Sequence, residues 1–211
     1  KIRAILDTTA NTDWKLAWRH GRGLLKGWRY VHKGVSLLRE IKNADIPFHR
    51  GIEELQLEGN GTLERVRFTV DGRAHTLDAK ICLLHQGVVP NTQITWSLRA
   101  EHTWDDDQLC WVPVANEWCE LSVSGIYIAG DGASIGGALV AALQGELAAL
   151  GALKQINPAA QQSVTQDAEG LRAQIENHLA IRPFLNRQYR PRNAFRIPAD
   201  DVMVCRCEEA T

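Results

Sequence analysis

Residues 126–138 read IYIAGDGASIGGA, an apolar run that stops at Gly-Asp-Gly and is followed by small residues in a helical pattern, Ala138 to Leu153. A strand that turns directly into a helix presents free backbone N–H groups and the positive end of a helix dipole, which together suit a phosphate. Glycines let a ligand approach the backbone because no Cβ intervenes. The segment therefore predicts a strand–turn–helix site for an anionic ligand.

Asp131 lies at the end of the predicted strand, where its carboxylate can accept hydrogen bonds from sugar or polyol hydroxyls. The alternative is that Asp131 caps the following helix, which is a common role for Asp. The apolar run before it and the glycines after it favour the ligand role. The candidate cofactor-binding residues are Gly130, Asp131, Gly132, Ala133, Ile135, Gly136 and Gly137.

The composition is that of an ordinary globular chain of 211 residues, with 45% hydrophobic and 23% charged residues. A net charge of −1 argues against a nucleic-acid partner. No apolar run reaches the roughly 18 residues that a membrane span requires. Five cysteines without the spacing of a disulfide scaffold favour a reducing compartment, so we expect a cytoplasmic protein.

Near the N-terminus, residues 2–6 predict a buried strand that ends at Asp7. An acid at this point of a nucleotide-binding unit can bind a ribose. The alternative is a turn or N-cap Asp before Asn11 and Thr12. Trp14–Tyr30 carries three Trp among basic residues, and we interpret it as helix and loop whose Trp side chains pack while the charges stay solvated.

Three antiparallel strands in a row are predicted between residues 52 and 77. Asn60-Gly61 and Asp71-Gly72 are strong hairpin signals between runs of alternating polarity. Ile81–Leu84 then predicts a further strand that returns to a parallel sheet. Residues 171–179 have an amphipathic helical pattern after a linker at 158–162. Together with the helix after the glycine turn, these elements predict an α/β fold with a β-meander and a helical C-terminal extension.

Two cysteines, Cys205 and Cys207, stand one residue apart after the apolar run 202–204. Such thiolates can both reach one metal ion or iron–sulfur cluster. The alternative is two thiols on an exposed tail. In its context the segment Cys-Arg-Cys-Glu-Glu resembles the first half of a small [2Fe-2S]-binding domain related to bacterioferritin-associated ferredoxin. That domain requires further cysteines downstream, so we expect the cluster in a longer parent protein.

Residues 126–138 resemble the second flavin-binding motif of the two-dinucleotide-domain flavoproteins, the pyridine nucleotide-disulfide oxidoreductase superfamily. The order of the β-meander, HQGVVPN at residues 85–91, a Trp-rich segment, the glycine turn and Cys-Arg-Cys-Glu-Glu is similar to the alpha (A) subunits of bacterial opine oxidases, hydrogen cyanide synthase and dye-linked proline or hydroxyproline dehydrogenases. Ser124 and Cys119 stand where those proteins more often carry Pro and Gly. The superfamily's first flavin motif, Gly-x-Gly-x-x-Gly, does not occur in this sequence, so we expect a fragment of a longer polypeptide.

This resemblance implies a partial two-dinucleotide-binding-domain, Rossmann-like fold in three parts. Residues 1–86 would be the remainder of an NAD(P)-type domain with the β-meander. Residues 87–157 would be the C-terminal part of the FAD-binding domain. Residues 158–211 would be the helical extension and the start of the [2Fe-2S]-binding domain. In the superfamily the Asp of the glycine turn contacts the ribityl chain and the pyrophosphate side of FAD.

The resemblance also implies a function: an FAD-dependent oxidoreductase subunit that passes electrons in the oxidation of an amine, an opine or an amino acid such as proline or hydroxyproline. Its partner would be a second FAD-containing, oxidase-like beta subunit, while NAD(P) binding stays open. The protein would place and tune a cofactor that does the chemistry, so no catalytic residue is named. The alternatives are an NAD(P)H-dependent ferredoxin or disulfide reductase, and a non-catalytic assembly fragment. Alone, this piece should be inactive, bind FAD weakly and form oligomers through unpaired sheet edges.

Overall fold

The computed structural model describes residues 2–9 and 21–210, which fall into two compact units. Within this range, unit 1 holds residues 2–9, 32–87 and 188–210, and unit 2 holds residues 21–31 and 88–187. Helices and small sheets are both present, which confirms the predicted α/β class. The Rossmann-like arrangement and the three-part division stay predictions.

Unit 1 contains a short parallel strand pair, β1 (Ile5–Asp7) and β2 (Phe48–Arg50). Parallel strands need a crossover connection, and helices α1 (Gly21–Lys26) and α2 (Trp28–Asn43) lie within it in sequence. Val35, Leu38 and Ile41 follow helical spacing and lie within α2.

The Asp7 carboxylate accepts hydrogen bonds from the backbone N–H of Thr9 at 3.0 Å and from its hydroxyl at 2.6 Å. These bonds favour the turn role over the ribose role. Asn11 and Thr12, and the part of Trp14–Tyr30 before residue 21, lie outside the described residues. Trp28, expected to pack, is 62% exposed.

The predicted β-meander is confirmed as an antiparallel sheet of β3 (Glu54–Glu58), β4 (Arg65–Val70) and β5 (Arg73–Asp78). Asp71 and Gly72 have φ values of 50° and 67°, so both are left-handed, as a two-residue type I′ turn requires. The first hairpin has a longer loop, residues 59–64, because strand pairing already ends where Glu58 faces Arg65.

The predicted strand at Ile81–Leu84 is wrong. These residues make no backbone hydrogen bond in the described part of the chain, and Leu83 is 91% exposed. A cleft of about 740 Å³ lies between this segment and residues 2–6 of the same unit. An apolar run becomes a strand only where a neighbour supplies hydrogen-bonding partners, and none of the described residues does so here.

Unit 2 is built around two long helices, α4 (Ala138–Ile156) and α5 (Gln161–Leu179), with the short α3 (Gln93–Ser97) and the hairpin β6 (His102–Asp105) and β7 (Cys110–Pro113). The predicted linker is shorter than expected, a single 3₁₀ turn at Pro158–Ala160. The helices predicted for the C-terminal region are present: α6 (Arg182–Gln188) follows α5, and α7 (Asn193–Arg196) belongs to unit 1.

The core of unit 2 joins α4, α5 and the chain that precedes the glycine turn. Trp118, Leu147, Val164 and Ala168 are its buried members. Cys119 packs against this core but has a φ of 62°. Left-handed backbone costs a non-glycine residue roughly 1–2 kcal/mol, so a glycine in related proteins would suit this position.

Candidate functional site

The residues before the glycine turn, 126–129, do not form the predicted strand. They instead bond to a segment a few residues earlier: the Leu121 N–H donates to the Ile126 carbonyl and the Ile128 N–H to the Cys119 carbonyl, each at 2.8 Å. Tyr127 makes an isolated bridge to Glu120. This partner segment is too short for a ladder, so the chain is extended without belonging to a sheet.

The glycine turn itself is a 3₁₀ turn at Gly130–Gly132. Gly130 is buried, has a φ of 69°, and donates its N–H to the Gln144 side-chain oxygen at 2.9 Å. Its carbonyl accepts from the N–H of Ala133 at 2.9 Å. A Cβ on Gly130 would lie 3.1 Å from the Ala141 Cβ. Both the left-handed backbone and the close approach to α4 therefore require glycine.

The Asp131 side chain is exposed and makes no hydrogen bond or ion pair with any described residue. The helix that follows begins only at Ala138, and its N-cap is Gly137, without a side-chain capping bond. The capping alternative for Asp131 is therefore wrong. Its carboxylate is available to accept hydrogen bonds from another molecule.

The start of α4 offers unpaired backbone donors. The N–H groups of Gly136, Gly137 and Ala138 make no hydrogen bond within the described chain, and the first helical bond is from the Ala141 N–H to the Gly137 carbonyl at 2.9 Å. A Cβ on Gly136 would lie 2.7 Å from Cγ1 of Val140, so that position is closed to larger residues. Unpaired N–H groups and the helix dipole favour an anion here.

Two glutamines that the sequence analysis missed hold this turn in place. Gln144 accepts from Gly130, as described, and Gln108 accepts from the Ile135 N–H at 3.2 Å. Gln108 is itself bonded through its side-chain amide to the Asp105 carboxylate at 3.1 Å. Neither glutamine has a sequence signal: Gln144 lies three residues after Ala141 on one face of α4, and Gln108 comes from the β6–β7 turn.

The two candidate metal ligands lie on a tight turn in unit 1. The Cys205 and Ala210 backbones form an antiparallel bridge that closes the turn, and Cys207 is exposed within it. Both thiols are free. Among the described residues no group of three or more His, Cys, Asp or Glu side chains could hold a metal. The apolar run 202–204 before them is exposed and forms no strand.

The glycine turn and the start of α4 offer hydrogen-bonding groups of two kinds, which would suit a ligand that combines hydroxyl groups with an anionic group. Asp131 offers an acceptor for the hydroxyls, and the N–H groups of residues 136–138 offer donors for the anion. At Gly130 and Gly136 a Cβ would instead meet Ala141 and Val140 of α4, so both glycines let the turn pack closely on that helix. A flavin dinucleotide, with its ribityl chain and diphosphate, fits this donor and acceptor set.

Comparison with known proteins gives three informative relatives. The chain is 36% identical over 208 residues to the A subunit of opine oxidase from Rhizobium meliloti, covering 98% of this chain and 39% of the relative. It is 37% identical over 184 residues to the A subunit of opine oxidase from Agrobacterium tumefaciens, covering 86% and 36%. It is 30% identical over 203 residues to the HcnB subunit of hydrogen cyanide synthase from Pseudomonas aeruginosa, covering 92% and 43%.

These relatives confirm the predicted resemblance to the A subunits of opine oxidases and to the corresponding chain of hydrogen cyanide synthase. The chain spans less than half the length of the curated relatives it matches. No protein-family profile and no solved structure matches it. In the described residues, none of the helices has both the length and the apolar character that crossing a bilayer demands.

Proposed function

We propose that this chain is part of an FAD-dependent oxidoreductase subunit that passes electrons in the oxidation of an amine, an opine or an amino acid such as proline or hydroxyproline. The names of the relatives support an oxidoreductase subunit. The observation that carries the flavin assignment is the exposed Asp131 carboxylate, which makes no hydrogen bond or ion pair with any described residue and lies on a glycine turn that leads into unpaired N–H groups.

The chain's own contribution is to bind and orient the cofactor. Asp131 would accept hydrogen bonds from the ribityl hydroxyls, and the N–H groups of residues 136–138 would donate to the diphosphate. Gln144 and Gln108 keep the turn in its conformation by accepting from Gly130 and Ile135. When bound, the flavin would supply the electron-transfer chemistry.

The remaining parts of the proposal concern the full-length protein. Cys205 and Cys207 would be two thiolate ligands of a [2Fe-2S] cluster whose other ligands lie further along the polypeptide. The relatives are named as subunits, which supports a partner; we take it to be a second FAD-containing, oxidase-like protein. The free state of all five cysteines supports a reducing compartment such as the cytoplasm.

The flavin assignment is tested by replacing Asp131 in the full-length protein. Asp131→Ala removes a charged acceptor, and loss of such a hydrogen bond costs about 1.5–3 kcal/mol, so the Kd for FAD should rise about 10- to 100-fold. The measurement is quenching of flavin fluorescence on titration of apoprotein with FAD. Glu146→Ala, which removes an exposed carboxylate from α4, is the matched control and should leave the Kd unchanged.

Two results would refute this assignment. One is a wild-type protein that neither carries nor binds flavin. The other is an Asp131→Ala variant whose Kd for FAD equals that of Glu146→Ala.

A further inference from the structure

The corner between α5 and α6 lies against Gly136, in the segment that leads from the glycine turn into α4. The Leu179 Cδ2 atom is 3.4 Å from the position that a Cβ on Gly136 would take. Ile181, two residues later, is 2% exposed, and a Cβ on Gly27 would lie 2.6 Å from the Ile181 Cβ. Because the corner is packed on both sides, the next residue, Arg182, has a fixed place within unit 2.

The Arg182 guanidinium is only partly used by its surroundings. One terminal N–H₂ group donates to the Asn186 side-chain oxygen at 2.6 Å. The Nε atom is buried without a hydrogen-bond partner in the described chain. Buried polar atoms are nearly always bonded, so this donor calls for an acceptor that the described residues do not supply.

The charges around Arg182 place it in the electrostatic field of the proposed flavin site. Burial lowers the pKa of Arg182, and the carboxylates of Asp105 and Asp131 act in the opposite direction. No ion pair within 4.0 Å joins the guanidinium to either acid in the described part of the chain. The two acids therefore favour the charged form of Arg182 while they leave its Nε donor open.

We propose that Arg182 is a diphosphate-binding residue of the glycine-turn site, contributed by the helical extension. Three observations carry it: the contact of Leu179 with Gly136, the Nε donor of Arg182 without a partner, and the unpaired N–H groups of residues 136–138, the segment that Leu179 contacts. The planar guanidinium with its several donors matches phosphate oxygens, and it adds a full charge to what the helix start offers. The inference rests on the proposed function.

The test uses full-length apoprotein titrated with FAD at low and at high salt. Arg182→Ala should raise the Kd for FAD about 10- to 100-fold at low salt. The ratio of this Kd to the wild-type Kd should be smaller at high salt, because salt screens a charge–charge contact. Arg182→Lys keeps the charge but lacks the planar guanidinium, so its Kd for FAD should lie between those of wild type and Arg182→Ala. Arg187→Ala, which removes another cation from the same helix α6, is the control and should bind like wild type.

Each outcome decides the inference. A salt-sensitive loss of affinity in Arg182→Ala, partly restored by lysine and absent from Arg187→Ala, supports it. An Arg182→Ala protein that binds FAD as wild type overturns it while the proposed function stands. If Arg182→Ala loses affinity for FAD by the same factor at both salt concentrations and its apoprotein has a lowered Tm, Arg182 has a packing role and the inference is also overturned. Wild-type protein that binds no FAD refutes the proposed function itself.

Discussion

Replacement of Gly151 by alanine tests the packing that sets α4, and thus the glycine turn, against the rest of unit 2. A Cβ at Gly151 would lie 2.9 Å from both the Trp118 Cβ and the Tyr127 Cε1, and 3.0 Å from the Trp118 carbonyl oxygen. Overpacking of this kind costs about 1–3 kcal/mol, and we take about 3 because two of the three atoms are held by the backbone of Trp118. The gain in helix propensity from glycine to alanine is about 1 kcal/mol, so the free energy of unfolding should fall by about 2 kcal/mol.

The matched control is Gly145→Ala in the same helix. A Cβ there meets nothing within 4 Å, so only the propensity gain remains and the variant should be more stable by about 1 kcal/mol. The Tm should therefore fall in Gly151→Ala and rise in Gly145→Ala, and the fall should be about twice the rise.

The assay is thermal unfolding of the full-length protein followed by circular dichroism and Trp fluorescence. The same substitution at two positions of one helix should act with opposite sign, which a general effect of alanine on the helix does not produce. Two variants that shift the Tm in the same direction, or a Gly151→Ala protein at least as stable as wild type, would refute the packing argument.

Two further predictions concern acid stability and the cysteine turn. Glu120 accepts hydrogen bonds from the Gly125 N–H and the Gln155 side chain, each at 2.8 Å, and these lower the pKa of its carboxyl below the ordinary 4.5. The stability that these hydrogen bonds contribute is present above the ordinary pKa and is lost as the pH falls through the lowered pKa of the folded protein. Glu120→Gln should therefore make the free energy of unfolding depend less steeply on pH in the acid range. An unchanged dependence would contradict this. Cys207→Ser should lower the iron and acid-labile sulfide content of the full-length protein, whereas Cys82→Ser should not; equal iron in both variants would rule out the thiolate assignment.

The β-meander and the long helices were predictable because their determinants are local. Asp71-Gly72 specifies a two-residue turn through its own left-handed preference, and the structure has that turn. Val164, Ala168, Leu171 and Ile175 recur on one face of α5 and meet the core there. In the candidate site, the glycines and Asp131 were identifiable for the same reason, because they all lie within one continuous stretch of sequence, residues 130–137.

Gln108 and Arg182 could not be placed from the sequence, because their relation to the glycine turn depends on tertiary contacts. Gln108 is 27 residues before Ile135, whose N–H it binds. Arg182 is related to the turn only through Leu179, three residues earlier at the end of α5, which packs on Gly136. No periodicity or motif spacing encodes such distances, which are set by how α4, α5 and the β6–β7 hairpin pack.

The two wrong strands, residues 81–84 and 126–129, have a common physical cause. A helix satisfies its backbone hydrogen bonds within its own segment, so an apolar pattern of helical period is nearly sufficient to predict it. A strand needs a second segment to bond, and its apolar pattern says nothing of where that segment lies. Residues 81–84 make no backbone hydrogen bond with the described chain, and residues 126–129 bond only to the chain just before them. The glycine turn nevertheless keeps its conformation, because Gln144 and Gln108 hold it from α4 and from the hairpin, independently of any sheet.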